Sequence, residues 1–365
     1  MIGSARFRNF KALKDVEITF DSRLTVLVGP NGSGKSSVLT GVNWLCQMTR
    51  NTDNKQQLIK SLNNRSNSWI GGADGKWSIE FRDNNMVSNG IRLRFQPTSV
   101  VTDMAEKTPP RDAVVEWICI GGELENVGYD KYPESLLHAE SRSSQLICLN
   151  SSVLAAPSST KMTPPDFSER GEGLASLMAY FKLYDEPKFN QIEELFRSII
   201  PQVRRIRIER VKTTGETLGE GLLFDLTGRM GVRASAMSDG TLYALGLIVK
   251  ILDPQRPDVL LIDDVEHGFH PRAQLQLVEL LRKLLDEIPD LQIIATTHSP
   301  FILDRLNWNE VRVTGLREDG SVAIAKIEDH PQIDRWKEDM TPGEFWTTFY
   351  ENWVAEQQPT TLQSA

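Results

Sequence analysis

The sequence predicts an α/β fold with a mostly parallel core sheet flanked by helices, and a pattern that occurs three times predicts it. The apolar run 24–28 (LTVLV) leads straight into Gly29-Pro30-Asn31-Gly32-Ser33-Gly34-Lys35-Ser36, which matches GxxxxGK[ST] without a gap. The run 258–262 (DVLLI) ends in Asp263-Asp264, and the run 291–295 (LQIIA) ends in Thr296-Thr297-His298-Ser299-Pro300. Strand, polar motif and helix follow one another each time, as in a parallel sheet that holds its ligand at the carboxyl ends of its strands.

The first motif is a P-loop, and its spacing has a physical reason. Glycines let the loop wrap tightly enough for successive backbone N–H groups to face phosphate oxygens, and the helix that starts near Lys35 adds its positive dipole end. Asn31, Gly32, Ser33, Gly34, Lys35, Ser36 and Ser37 are therefore the expected nucleotide-binding residues. Lys35 is placed to reach the β- and γ-phosphates of ATP, and the Ser36 hydroxyl to ligate Mg²⁺.

The bulk composition narrows the remaining classes. With 365 residues the chain can bury a large core, and a formal net charge of −8 excludes a surface that is basic throughout. Any contact with DNA must come from a local patch. Cys46, Cys119 and Cys148 are scattered, with no CxxC pair or histidine at metal-ligand spacing, so neither a zinc site nor a disulfide framework is expected. They read as reduced and partly buried. No apolar run approaches the length of a membrane span and the start lacks a signal-peptide core, so a soluble, cytoplasmic protein without membrane contact is expected.

Before the P-loop, 5–10 and 16–20 alternate like two short strands. Arg8, Asn9 and Phe10 read either as an adenine contact or as ordinary edge-strand packing. Residues 50–76, rich in Asn, Ser and Gly, form a polar surface insertion, and 77–81, 91–95 and 114–120 read as a small antiparallel β-lobe. A further strand is expected at 146–149. Gln145, Gln96, Gln56 and Gln57 all remain open as the glutamine that senses the γ-phosphate.

Residues 155–240 read as a helical subdomain. Leu174, Leu177, Met178 and Phe181, then Phe189, Ile192, Leu195, Phe196 and Ile199, recur at helical spacing until Pro201. No heptad persists, which excludes a long coiled coil. The strand-like 203–212 carries Arg204, Arg205, Arg207, Arg210 and Lys212, either as a solvated face or as a contact to a phosphate backbone. Ala236-Met237-Ser238-Asp239-Gly240-Thr241-Leu242 then opens an apolar helix.

Taken together, NFKALKDV, the P-loop, GEGLASL, FRSIIP, MSDGT, LLIDDVEHGFHP and ATTHSPFIL make the chain resemble the ATP-binding-cassette (ABC) ATPases of the SMC, RecF and OLD group, most closely the OLD-like ATPase domain. The resemblance covers nearly all of 1–365 and implies one P-loop NTPase domain of ABC type. It implies two ATP molecules sandwiched in a homodimer, each held by the P-loop of one copy and the signature motif of the other. Ser238 and Gly240 would then touch the γ-phosphate across the interface, Asp263 would bind Mg²⁺, Asp264 would be the catalytic base with Glu266 as the alternative, and His298 would be the switch histidine. His270 falls where this group places its D-loop.

The departures are informative. Met237, Asp239, Thr241 and Leu242 differ from transporter signatures, and Asp264 stands where glutamate is usual, which implies slow turnover. OLD proteins also carry a Toprim nuclease domain, for which no room is expected after His298. The resemblance implies DNA repair or anti-phage defence beside a separately encoded effector, with a slow, ATP-gated clamp or scaffold as the alternative.

The tail reads as one aromatic helix over 341–356. Thr341-Pro342-Gly343-Glu344 has the form of a capping box, and Phe345, Trp346, Phe349, Tyr350 and Trp353 share one side, facing either their own domain or a partner. Residues 357–365 are expected to be disordered.

Overall fold

In a computed structural model the described residues are 1–49, 77–83, 89–95, 113–119, 143–159, 165–212 and 218–356. The expected insertion at 50–76, three of the four candidate glutamines (Gln56, Gln57, Gln96) and the tail 357–365 lie outside them. The chain, read as one domain, divides into two compact units. The first holds Met1–Gln145, Asp258–Leu261 and Asp290–Ala365, and the second Leu146–Pro257 and Ile262–Pro289.

The first unit is built on two sheets. β1 (Ile2–Phe10) and β2 (Leu13–Thr19) form a hairpin with Phe7 opposite Val16 and Ala5 opposite Ile18, all buried. The three strands expected as a small antiparallel β-lobe, β4 (Trp77–Asp83), β5 (Asn89–Phe95) and β6 (Ala113–Cys119), pair antiparallel and continue this hairpin into one five-stranded sheet, β2-β1-β4-β5-β6. A free three-stranded lobe would leave an edge exposed, which pairing with β1 covers.

The second sheet contains β3 (Leu24–Val28), β7 (Ser144–Ile147), β12 (Val259–Ile262), β13 (Gln292–Thr297), β14 (Val311–Leu316) and β15 (Val322–Lys326), in the order β15-β14-β3-β13-β12-β7. β3 pairs in parallel with both β13 and β14, and β15 closes one edge antiparallel to β14. Burial on both faces explains why β3, β12 and β13 read as unbroken apolar runs rather than alternating ones.

Buried polar groups fix the order of these strands. Asp258 accepts from the Ser143 backbone and hydroxyl at 2.9 and 2.8 Å, clasping the start of β12 to the start of β7. Arg312 on β14 is 1% exposed and donates to the carbonyls of Thr19, Asn309 and Val311 and to Asp21. Lys326 of β15 reaches the same Asp21 carboxylate at 2.6 Å, so this buried charge is fully partnered.

The second unit contains α2 (Ser151–Leu154), α3 (Leu174–Tyr184), α4 (Glu186–Ile199), α5 (Asp239–Leu252) and α6 (Pro271–Glu287). Expected as a helical subdomain over 155–240 with a strand at 203–212, the region carries a whole antiparallel sheet: β9 (Val203–Lys212) and β11 (Arg229–Arg233) flank β10 (Leu218–Leu226), which also pairs with β8 (Ser158–Ser159). Ile206, Leu222, Phe224 and Val232 form its buried face. α5 is buried on nearly every side, and its Lys250 donates to the Phe167 carbonyl at 2.5 Å, with burial lowering the ammonium pKa.

The aromatic tail is two helices rather than one. α9 (Pro342–Phe349) and α10 (Asn352–Glu356) are separated by Tyr350, whose φ of 52° lies in the left-handed region. Before them come the single turns α7 (Pro300–Leu303) and α8 (Ile333–Trp336). The aromatic face turns inward on its own unit: Phe345 is 1% exposed, and the His330 ring lies 4.9 Å from each of Phe345, Phe349 and Trp353.

Candidate functional site

The P-loop lies between β3 and the helix α1 (Lys35–Thr49), whose Val38, Leu39, Val42 and Leu45 bury one face at helical spacing. No acidic residue occupies the first turn of α1, which leaves its positive end for an anion. Gly29 has φ 153° and faces Thr314 so closely that a Cβ would fall 3.1 Å from the Thr314 carbonyl carbon, closer still to its oxygens. Only glycine fits there.

Lys35 is 6% exposed, and its ammonium donates to the carbonyls of Gly29 and Pro30, both at 2.9 Å. Both contacts lie within the loop, so the charge is held where a phosphate would replace carbonyl dipoles with full negative charge. Asn31, Gly32 and Ser36 are exposed around it. Ser33 differs: fully buried, its hydroxyl lies 2.5 Å from that of Thr314, which also donates to Val28 O at 3.2 Å. Its side chain therefore braces the loop from behind, while its backbone N–H donates to Pro30 O at 3.3 Å. Thr314 was not singled out from the sequence; a lone hydroxyl inside the apolar run VRVTGL was the available signal.

The opening hairpin decides between the two readings of Phe10. Phe10 is fully buried and lies against Trp44, edge to face at 5.5 Å, so it is packing and offers no face to adenine. Asn9 and Lys11 turn through left-handed backbone, and the Lys11 ammonium sits over the Phe10 and Trp44 rings at 5.7 and 5.6 Å. His298 is exposed directly after β13, and Ser299 caps α7 by accepting from the Phe301 N–H at 3.2 Å. Gln145, the one candidate glutamine among the described residues, lies within β7 rather than past its carboxyl end.

In the second unit, Ser238 caps α5, accepting from the Thr241 N–H at 3.4 Å. Gly240 is buried rather than open to a phosphate. A Cβ on it would lie 2.7 Å from the Gly268 carbonyl carbon, so the first turn of α5 presses directly on the turn that follows the second aspartate. That turn is tight: His267 N donates to Asp264 O at 2.8 Å and Phe269 N to Glu266 O at 2.9 Å. Strand β12 stops at Ile262, so strand alternation does not reach Asp263 and Asp264. Asp264 instead has φ 51°.

Tyr243 faces this acidic turn from α5. Burial first, then the carboxylates of Glu266, Asp264 and Asp263, push its phenol well above the usual range. The Cys148 thiol is exposed, unlike the buried Cys46, and is raised by partial burial and then by Glu169 and Asp263. His270 caps α6 through Nδ1, which accepts from the Arg272 N–H at 3.4 Å. On the basic strand β9, Arg207 pairs with Asp225 at 2.9 Å, Arg210 lies 3.8 Å from Glu220, and Arg233 of β11 meets Glu209 at 3.4 Å. Carboxylates of the same sheet thus stand beside Arg207 and Arg210 of this strand.

An AAA-domain family model matches residues 5–206, more than half of the chain. The chain belongs to the AAA-domain family. A second model of this AAA-domain class, described as "AAA domain, putative AbiEii toxin, Type IV TA system", matches 182–304. Among solved structures, the AAA domain described above is similar to an SMC head bound to the C-winged helix domain of ScpA, with TM-score 0.58 and 15% identity over 89% of this chain and 96% of that one. It is likewise similar to an SMC head with an extended coiled coil bound to the C-terminal domain of ScpA derived from Pyrococcus furiosus, with TM-score 0.53 and 14% identity over 93% and 99%. The likeness runs over nearly the whole length of both SMC heads and shows that this chain has their fold. One stretch of 69 residues is 35% identical to the Septu protein PtuA of Bacillus thuringiensis, covering 19% of this chain and only 17% of that protein. Among the described residues, no helix is long and apolar enough to cross a membrane.

Proposed function

We propose that this AAA-domain protein is an ATP-hydrolysing switch that dimerises around ATP and Mg²⁺ and relays its nucleotide state to a separately encoded effector. The observation that carries the reading is the posture of Lys35, a buried ammonium that donates to the Gly29 and Pro30 carbonyls inside a loop whose Asn31, Gly32 and Ser36 are exposed. Among the described residues no group of three or more His, Cys, Asp or Glu side chains is arranged to hold a metal. By the resemblance to ABC-type ATPases, Ser36 and Asp263 are the residues that would hold Mg²⁺ when ATP is bound, and a hydroxyl and a carboxylate are oxygen ligands of the kind Mg²⁺ favours.

In this reading Ser238 and the start of α5 from one copy complete the P-loop site of the other. Asp264 orients the attacking water and His298 senses the γ-phosphate. A role in defence or DNA repair, acting with an effector, is supported by the resemblance to OLD-like ATPases, by the family description naming a toxin of a Type IV TA system, and by the partner-bound state of the SMC heads. A slow clamp or scaffold is the second reading, favoured by Asp264 in place of a longer acid.

The test is complementation between two inactive variants. Lys35→Ala and Ser238→Arg should each abolish turnover, and their mixture should recover about a quarter of it on the order-of-magnitude expectation for random pairing with one intact composite site. Sedimentation should show ATP-dependent dimers in the wild type. No recovery, together with a monomer at saturating ATP and Mg²⁺, would show that the composite-site model is wrong.

A further inference from the structure

The tail helix α9 lies against the short helix that directly follows the exposed histidine. Gly343, in the first turn of α9, approaches α7 so closely that a Cβ would stand 2.9 Å from Asp304 Cγ, and nearer to the Pro300 carbonyl and Asp304 Oδ1. Thr341, which caps α9, donates its hydroxyl to that same Asp304 Oδ1 at 2.6 Å. The cap is reciprocal: Glu344 N donates to Thr341 Oγ1 at 3.3 Å, and Thr341 N donates to Glu344 Oε2 at 2.9 Å.

Asp304 in turn closes α7, its N–H donating to Pro300 O at 2.9 Å, and Pro300 is two residues past His298. A four-residue helix cannot hold itself in water, because nucleation fixes several residues for a single hydrogen bond. Its geometry must be supplied from outside. Thr341 and Gly343 supply it at one end, and Phe345 anchors their helix, packed edge to face on Trp308 at 5.5 Å and on His330 at 4.9 Å.

We propose that Thr341, Gly343 and Asp304 are positioning residues for His298, so that the tail helix sets where the switch histidine stands. The inference rests on the switch role proposed for His298. It also gives the aromatic tail a task within its own chain: a displacement of α9 moves the segment that reads the nucleotide, while the P-loop keeps its own brace through Thr314.

Full-length Gly343→Ala, Thr341→Val and Thr341→Ser, with His298→Ala as reference, test the proposal. Gly343→Ala and Thr341→Val should raise hydrogen exchange at the amides of 301–304 by at least tenfold, with the amides of 31–38 unchanged. Displacing the histidine by about 1 Å should lower kcat by roughly tenfold to a hundredfold. The dissociation constant for a fluorescent ATP analogue should stay within about twofold, and Thr341→Ser should behave as wild type, the hydroxyl being restored.

Adding Gly343→Ala to His298→Ala should cost no further turnover, because the helix acts through the histidine. Unchanged exchange in both helix variants overturns the proposal, and so does an equal fall in kcat with and without His298. Faster exchange with wild-type kcat in Gly343→Ala and in His298→Ala alike upholds the docking and overturns the switch role instead. Should Gly343→Ala fail to fold, the Thr341→Val and Thr341→Ser pair carries the same comparison.

Discussion

Gly240→Ala separates two roles for the signature glycine. If Gly240 serves only to approach a phosphate in a second copy, the isolated chain should not notice a methyl group. The structure gives the opposite expectation. The added Cβ would stand 2.7 Å from the Gly268 carbonyl carbon, whereas ordinary van der Waals contact begins near 3.4 Å, so helix and turn must separate by about 0.7 Å or more. Both neighbours are backbone, and neither can rotate away. Overpacking of this kind costs about 1–3 kcal/mol. With a urea slope of about 3 kcal/mol/M, the nucleotide-free unfolding midpoint should fall by roughly 0.3–1 M. The same separation displaces the turn carrying Asp263, Asp264 and Glu266, so kcat should drop by about 10²-fold while ATP affinity changes little. Ser238→Ala is the control, costing about 0.5–2 kcal/mol for the lost cap without moving the turn. An unaltered midpoint in Gly240→Ala, with the whole defect in ATP-driven dimerisation, would refute the packing argument and restore the phosphate role.

Two further outcomes follow from named groups. Asp264→Asn should retain ATP binding, abolish phosphate release and accumulate an ATP-bound dimer on a sizing column; normal turnover there alongside an inactive Glu266→Gln would move the base to Glu266. His330 is kept neutral by burial, which lowers its pKa below the usual 6.5, and its Nδ1 accepts from the Gln332 N–H at 3.0 Å. The unfolded chain therefore binds the proton first: the stability this histidine confers is present above about pH 6.5 and is lost as pH falls through its lower folded pKa. The urea midpoint should drop between pH 7 and 5 in wild type and drop less in His330→Phe, and equal slopes would rule this histidine out as the source.

Much of the sheet was legible because burial on both faces leaves a direct mark. The polar motif begins where β3 and β12 stop and with the last two residues of β13, at Thr296, so three strands and their loops could be placed from the residues alone. The tail helix was legible at its start, where a capping box has a local pattern, but not at its break. The left-handed turn at Tyr350 has no residue that advertises it. Phe10 stayed open between an adenine contact and packing for a related reason: in alternating strands the pattern shows which residues share a face, but not which face a helix will cover, and Trp44 covers this one. The antiparallel β10 and β11 were hidden by glycines at 219, 221, 228 and 231, which weaken a strand signal while permitting its close pairings.

The aspartate at 264 follows from the same kind of local geometry. Left-handed backbone costs an ordinary residue on the order of 1–2 kcal/mol, and aspartate enters that region more readily than glutamate because its short carboxylate can bond locally. A position with φ 51°, held by the bond from His267 N to its own carbonyl, therefore selects against the longer acid expected at the end of a strand. Gly268 closes the turn at φ 73° and carries the contact to Gly240, which joins the acidic turn to the first turn of α5. The carboxylate at 264 is thus set by the turn and not by strand alternation, and a shorter side chain on a re-aimed backbone can reach a place that a glutamate on a straight strand would reach by length. Slow turnover does not follow from the missing methylene alone; it depends on how firmly Gly240 and Gly268 hold that backbone, which is the quantity Gly240→Ala perturbs.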